Sequence, residues 1–128
     1  MTRKHDPTRP TGFSSPARDY LEHSLDLNRH LVRNPAATFF VRMSGDSMLQ
    51  AGIHAGDLLI VDRSLDPKDS HIVLNTFEGE FLVRKILFKP DGIRLCPAHP
   101  DFSETPLTPE SDFFVWGVVT YVIHALGP

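Results

Sequence analysis

The chain has 128 residues, of which 41% are hydrophobic and 23% are charged, so it can form one domain with a real core and is too short for two. Its formal net charge is −3, which argues against autonomous or sequence-specific DNA binding. The single cysteine, Cys96, excludes an internal disulfide and suits a reducing compartment. The N-terminus has no apolar run behind it, as a signal peptide would, and the longest apolar stretch, Phe113 to Leu126, is too short for a membrane span. We therefore expect a cytoplasmic protein with no membrane partner.

The first part of the chain is polar. Residues 1–16 are rich in Pro, Ser, Thr and basic residues, which predicts a flexible arm. Residues 17–37 predict a short helical or irregular segment. In this segment Asp26 can cap one or two turns over Leu27 to Arg33, and Asn34-Pro35 ends them.

From Thr38 onward the pattern is that of β-strands. Strands are predicted over Thr38 to Met43, Leu58 to Val61, His71 to Phe77, Phe81 to Phe88, Ile93 to Cys96 and Phe113 to Ile123, the last as one long strand or two broken at Gly117. The continuous apolar run Leu58 to Val61 indicates a strand buried on both faces, and Glu78-Gly79-Glu80 indicates a hairpin. The predicted fold class is mainly β, a compact domain over residues 17–128 with little helix.

The string Ser44-Gly45-Asp46-Ser47 follows the first predicted strand. Such a string is turn chemistry in any protein, so an ordinary strand-to-loop turn is one interpretation. The other is a nucleophile, because a serine hydroxyl becomes reactive when a base lies within hydrogen-bond reach. Lysine can be that base if burial lowers its pKa toward neutrality, and glycine at 45 lets the backbone approach a peptide closely.

The flanking motifs decide between these interpretations. An ordered set of segments, covering nearly everything after residue 11, resembles the LexA/UmuD family of self-cleaving serine proteins, and in particular its UmuD-type members. The segments are Gly12 to Tyr20, Asp26 to Asn28, Pro35 to Thr38, Ser44 to Met48, Gly56 to Asp62, Glu78 to Phe81 and Trp116 to Val119. Any one of them could arise by chance, whereas the ordered set is a specific signal.

The resemblance implies a LexA/UmuD C-terminal-type β domain that forms a homodimer, with Ser47 as the nucleophile of a serine-type autopeptidase and no cofactor. It also implies that the RecA–DNA filament stimulates removal of the N-terminal arm in the SOS response to DNA damage. The trimmed dimer would then serve the Y-family, UmuC-like subunit of an error-prone translesion DNA polymerase.

Arg84 departs from the family pattern. Ungapped spacing places it where the family has its general-base lysine, with Lys85 beside it. The pKa of arginine lies roughly three units above that of lysine, so neutralising it costs about 4–5 kcal/mol more. Lys85 would need a β-bulge to reach the site, because adjacent side chains of a strand point to opposite faces. The sequence therefore predicts a dead or very slow dyad, with Lys85 as a possible substitute base.

The predicted scissile bond departs from the family as well. It is Thr11-Gly12, in which the threonine is larger than the usual small residue, and the arm before it is short. One interpretation is a functional short precursor. The other is a chain that has drifted toward a constitutively mature form, which would explain Arg84 and the short arm together.

Three functions are alternatives to the role of a polymerase accessory subunit. The first alternative, an active self-cleaving peptidase whose main function is proteolysis, is not excluded by the sequence. A detached LexA-like repressor domain is disfavoured because no helix-turn-helix precedes the domain and the chain starts at Met1. A signal peptidase relative is disfavoured by the missing transmembrane segment.

Other residues favour structural interpretations. The seven histidines are scattered without metal-ligand spacing, so no metal site is predicted. Arg84, Lys85 and Lys89 could form a basic strip for DNA, but a solvated strand edge is the favoured interpretation. Trp116 is predicted to lie in the core or in a dimer interface.

Overall fold

The computed structural model describes residues 24–127. Three predictions fall outside the described residues: the flexible arm over residues 1–16, the Thr11-Gly12 bond and the domain boundary after residue 16. The strands and both core clusters lie within the unit that begins at Leu31.

The described part of the chain is mainly β, as predicted. It contains one short α-helix, α1 (Leu27–Leu31), and 3-10 helices at Pro35–Ala37 and Leu49–Ala51. The strands are β1 (Thr38–Arg42), β2 (Leu58–Asp62), β3 (Ile72–Phe77), β4 (Glu80–Lys89), β5 (Gly92–Cys96), β6 (Thr105–Pro106) and β7 (Phe113–Ile123). No helix within these residues is long and apolar enough to span a bilayer.

Helix α1 begins as the sequence predicts and ends earlier. The Asp26 carboxylate accepts a hydrogen bond from the backbone N–H of Arg29 at 3.2 Å, so the predicted cap is confirmed. The helix ends at Leu31 instead of Arg33. Asn34, which precedes a proline, has the non-helical dihedrals φ −124° and ψ 81°, because the proline ring disfavours the helical conformation of the residue before it.

The strands form an antiparallel sheet in the order β1-β2-β7-β3-β4-β5-β6. The long strand β7 lies between β2 and β3, and its register shifts once against each neighbour. Phe113–Ile123 is therefore a single strand that bends through irregularities instead of two separate strands. The bends let one strand serve two partners along different parts of its length.

The sheet is covered by apolar packing on both faces. Val73 and Leu74 are neighbours in β3 but belong to two different buried clusters, as alternation along a strand requires. Leu59, Ile60 and Val61 are all buried, which confirms the prediction for β2. Trp116 lies outside the core, because it is 36% exposed and packs beside Phe114 and Phe81 at the surface.

Candidate active site

The loop that carries Ser47 is held between two buried methionines. Met43 follows β1, Met48 follows Ser47, and both belong to the same core cluster. The backbone of Met43 is fixed on both sides, because its N–H donates to Asp57 O and its carbonyl accepts from Gly56 N–H, each at 2.8 Å. Gly45, at the tip, has a φ of 79°, a conformation in which a side chain would be strained.

A second segment, after β5, closes over the same loop. The N–H of Ala98 donates to Ser47 O at 2.8 Å, and Ala98 O accepts from the N–H of Gln50 at 2.8 Å. These two bonds hold the backbone at Ser47 and Gln50 against the segment that follows β5. Ser47 is consequently held in one position, with 8% of its surface exposed.

Arg84 of β4 reaches Ser47 directly, although 37 residues separate them in the chain. Its Nη1 donates a hydrogen bond to Ser47 Oγ at 2.8 Å and another to the Val83 carbonyl at 2.9 Å. The ring of Phe102 lies beside the guanidinium, 6.0 Å from Cζ to the ring centroid. The structure therefore brings together Ser47 and Arg84, the residue that the sequence predicts at the position of the general base.

The direction of the Arg84–Ser47 bond decides its chemistry. Burial lowers the pKa of Arg84, and the negative charge of Glu80 opposes that effect. The ordinary pKa of a guanidinium is so far above neutrality that the group stays protonated. A general base must accept the serine proton, whereas this group donates its own. In this state the pair positions the hydroxyl and does not activate it.

Lys85 is not brought to this site. The β4 ladder runs without a shift from Lys85 opposite Ile72 to Glu80 opposite Phe77, and the β5 pairing begins in register at Lys85. The bulge needed to redirect its side chain is thus absent from this part of β4. Lys85 is exposed and is not among the residues that line the groove at Ser47.

An open groove of about 320 Å³ leads to Ser47. It runs between the end of β1 and the first half of β4, and its lining includes Ser44, Gly45, Phe81, Arg84 and Phe102. Strand β4 changes partner at Lys85: from Lys85 to Lys89 its ladder is with β5, whereas from Glu80 to Arg84 its ladder is with β3 alone. An extended peptide segment entering this groove would pass over the serine hydroxyl.

Sequence reasoning missed the residues that cover the site from the segment after β5. His99 Nε2 lies 3.5 Å from the Asp46 carboxylate, and the His99 ring packs edge-on against Phe102 at 5.2 Å. Phe102 in turn contacts Arg84. A loop without periodic pattern gives no sequence signal for such contacts.

A serine fixed in the loop that follows β1, with a basic side chain of β4 in hydrogen-bond contact, is the arrangement of a serine-peptidase-type β domain. Residues 9–120 match the Peptidase S24-like family, and the chain belongs to that family.

Three relatives indicate which kind of Peptidase S24-like protein this chain resembles. The chain is 48% identical over 115 residues to Protein SamA of Salmonella typhimurium, which covers 90% of this chain and 79% of SamA. It is 48% identical over 117 residues to Protein ImpA of Escherichia coli, covering 88% and 77% of the two chains. Protein MucA of Escherichia coli is 41% identical over 111 residues, covering 86% and 75%. The predicted identity as an UmuD-like SOS mutagenesis protein of the LexA/UmuD type is confirmed.

Proposed function

We propose that this chain is a homodimeric accessory subunit of an error-prone translesion DNA polymerase and acts by binding, not by proteolysis. The observation that carries the proposal is the hydrogen bond from Arg84 Nη1 to Ser47 Oγ. A family fold with the serine in place, but with a permanent proton donor where the base should be, fits a domain whose peptidase step has become dispensable.

Maturation, if the chain undergoes it, consists of hydrolysis of the Thr11-Gly12 bond. Ser47 Oγ would attack the Thr11 carbonyl carbon while a base at position 84 takes the hydroxyl proton. The Thr11–Gly12 bond would then break, the Gly12 amine would leave with that proton, and water would hydrolyse the acyl-serine ester. With arginine at that position the proton has no acceptor, so the chain should remain uncut.

The test of this step is a self-cleavage assay at alkaline pH on the full chain. We expect the unchanged protein to stay intact, because guanidinium remains protonated in a range where a lysine amine loses its proton. Arg84→Lys should restore cutting after Thr11, detected by intact-mass spectrometry, and Arg84→Lys combined with Ser47→Ala should remove it again.

Two outcomes of the assay would change the proposal. Brisk cutting of the unchanged chain that Lys85→Ala stops would make Lys85 the base and the protein an active self-cleaving peptidase. If Arg84→Lys remains uncut while its fold is intact, the block lies in the Thr11 bond or the short arm, and the chain is a binding subunit whatever stands at position 84.

The proposed partners are a Y-family, UmuC-like polymerase subunit and, for any stimulated cleavage, the RecA–DNA filament, all in the cytoplasm. Co-expression with the Y-family subunit from the same genome should yield a complex that elutes as one species. Ser47→Ala should leave that complex unchanged, because binding does not use the hydroxyl. Failure of the two proteins to co-purify would refute the accessory role independently of the cleavage result.

A further inference from the structure

Three potential metal ligands meet where β2 begins and β7 ends. His54 and Asp57 belong to the turn before β2, and His124 follows β7 directly. The pairing of Leu58 with Ile123 places these two strand ends side by side. One ligand atom of each of the three side chains lies within 4.8 Å of the others.

Asp57 is the fixed member of this cluster. Only 2% of its surface is exposed, and its Oδ2 accepts the backbone N–H of His54 at 2.8 Å. Its Oδ1 lies 2.6 Å from His124 Nδ1. The His54 N–H bond is the main cause that lowers the pKa of Asp57; burial opposes it and His124 adds to it, so the carboxylate is ionised at neutral pH.

The two histidines are the adjustable members. Their side chains are 47% and 43% exposed, and their rings lie next to each other in a tilted arrangement, with centroids 4.6 Å apart and planes 34° apart. His54 Nδ1 is 3.6 Å from Asp57 Oδ2. Ligand atoms about 2.0–2.2 Å from one tetrahedral zinc ion lie roughly 3.3 Å apart. His124 Nδ1 must therefore move slightly away from Asp57 Oδ1, and His54 slightly closer to the carboxylate, which the exposure of both rings permits.

We propose that His54, Asp57 and His124 bind one divalent transition-metal ion, with zinc the best-suited ion. Two imidazoles and one carboxylate are borderline ligands that suit zinc, and three protein ligands leave one position for water. Asp57 is already oriented for this role, because its Oδ2 accepts the His54 N–H. The ion would replace the proton that Asp57 Oδ1 and His124 Nδ1 now share.

A bound ion would connect the cluster to the loop that carries Ser47. The carbonyl of Asp57 accepts the N–H of Met43, which begins that loop. An ion joining Asp57 to His124 would therefore tie the end of β7 to the anchor of the nucleophile loop. This site is separate from the Ser47–Arg84 pair, so the inference does not depend on the proposed function.

The experiment titrates the full metal-free chain with Co²⁺, followed by the visible absorption of a tetrahedral site, and then displaces it with Zn²⁺. We expect saturation at one ion per chain and a higher melting temperature in the presence of Zn²⁺. His54→Ala and His124→Ala should each weaken binding by at least about tenfold. His71→Ala is the matched control, because His71 lies outside the cluster and accepts a hydrogen bond from Lys68 N–H.

Circular dichroism of each variant establishes that it is folded, and His124→Gln provides a second, milder change at the same position. No saturable binding by the unchanged chain would overturn the proposal. Binding that survives the combined His54→Ala and His124→Ala change would overturn it as well, because the ion would then sit elsewhere. Equal weakening by His71→Ala would show that the effect is not specific to the cluster.

Discussion

At the scale of single residues, position 84 decides what the serine can do. The site keeps the features that do not depend on the base, namely the fixed Ser47 loop, the open groove and a basic side chain within 2.8 Å of Oγ. At position 84 the acid–base property of the side chain departs from that of the lysine that the resemblance implies. A difference of about three pKa units is worth about 4 kcal/mol. Burial lowers the pKa of Arg84, but its guanidinium still acts as a hydrogen-bond donor to Ser47 Oγ.

Asp62 gives a residue-scale prediction of pH dependence. It is 5% exposed and accepts hydrogen bonds from Asn34 Nδ2 at 2.9 Å, Ser64 N at 2.8 Å and Ser64 Oγ at 2.6 Å. Burial alone would raise its pKa, but these bonds together lower it. A carboxylate with a lowered folded-state pKa contributes stability above its unfolded-state pKa of about 3.9, and this stability is lost as the pH falls through the lower folded value.

We therefore expect Asp62→Asn to lower the free energy of unfolding at pH 7 by about 1–3 kcal/mol, because a neutral amide cannot accept all three bonds. The variant should also lose less stability than the unchanged protein when the pH falls below about 4. Denaturant unfolding at a series of pH values measures both effects. Parallel stability curves for the two proteins would show that Asp62 does not contribute to the acid dependence.

At the scale of elements, apolar periodicity located the main strands to within one or two residues. It could not locate β6, which is only two residues long and contains a proline, so no alternation can appear. Apolar periodicity also could not predict the order of the strands in the sheet. The pairing of β7 with both β2 and β3 depends on contacts between segments far apart in the chain, and local pattern does not encode them.

Because local sequence patterns carry no information on contacts between distant segments, only some of the site residues could be predicted. Ser47 and Arg84 were found because family spacing aligns them, and the structure places them in contact. His54, Asp57 and His124 could not be grouped, because Asp57 and His124 are 67 residues apart and meet only through the pairing of β2 with β7. Spacing rules for metal sites detect ligands on one element and not ligands brought together by a sheet.

Gly117 gives an element-scale prediction. A Cβ at this position would lie 2.6 Å from Val61 Cγ1 and 2.9 Å from Asp62 O, where β7 crosses from β3 to β2. Because one of these atoms belongs to the backbone, the strands must separate to accept it. Gly117→Ala should lower the free energy of unfolding by about 1–3 kcal/mol, measured by denaturant unfolding.

Gly127→Ala is the matched control, because an added Cβ there meets nothing within 4 Å. It should leave stability unchanged. If the two substitutions have the same effect, the close approach of β2 and β7 at Gly117 does not limit stability, and the cost reflects only the change of residue type.

At the scale of the whole molecule, the most conspicuous surface feature is an aromatic patch formed by Phe81, Phe114 and Trp116. The first two are 65% and 54% exposed, and the rings contact one another through Trp116 at 5.9 Å and 5.0 Å. Contiguous exposed aromatic side chains are typical of protein interfaces. We expect this patch to contribute to the proposed homodimer.

The change that tests the patch is Phe81→Ser combined with Phe114→Ser. Sedimentation velocity over a dilution series should show a dimer for the unchanged chain and a shift toward monomer for the variant, because aromatic burial is lost. Phe88→Ser, which alters a phenylalanine that is 43% exposed farther along β4, should not shift the equilibrium. An unaltered dimer in the double variant would place the interface on another surface.

The charge distribution argues against DNA binding by the isolated protein. The net charge is −3, and the strip of Arg84, Lys85 and Lys89 is not continuous, since Arg84 turns toward Ser47 while the two lysines are exposed. Two cations release few counterions from a phosphate backbone, so binding should be weak and change little with salt. Fluorescence anisotropy with labelled single-stranded DNA should show no saturable binding by the isolated protein at physiological salt, whereas the complex with the Y-family subunit should bind. Tight binding by the isolated protein that weakens steeply with salt, and that Lys85→Glu with Lys89→Glu abolishes, would identify β4 as a DNA-contacting edge and contradict a purely protein-binding role.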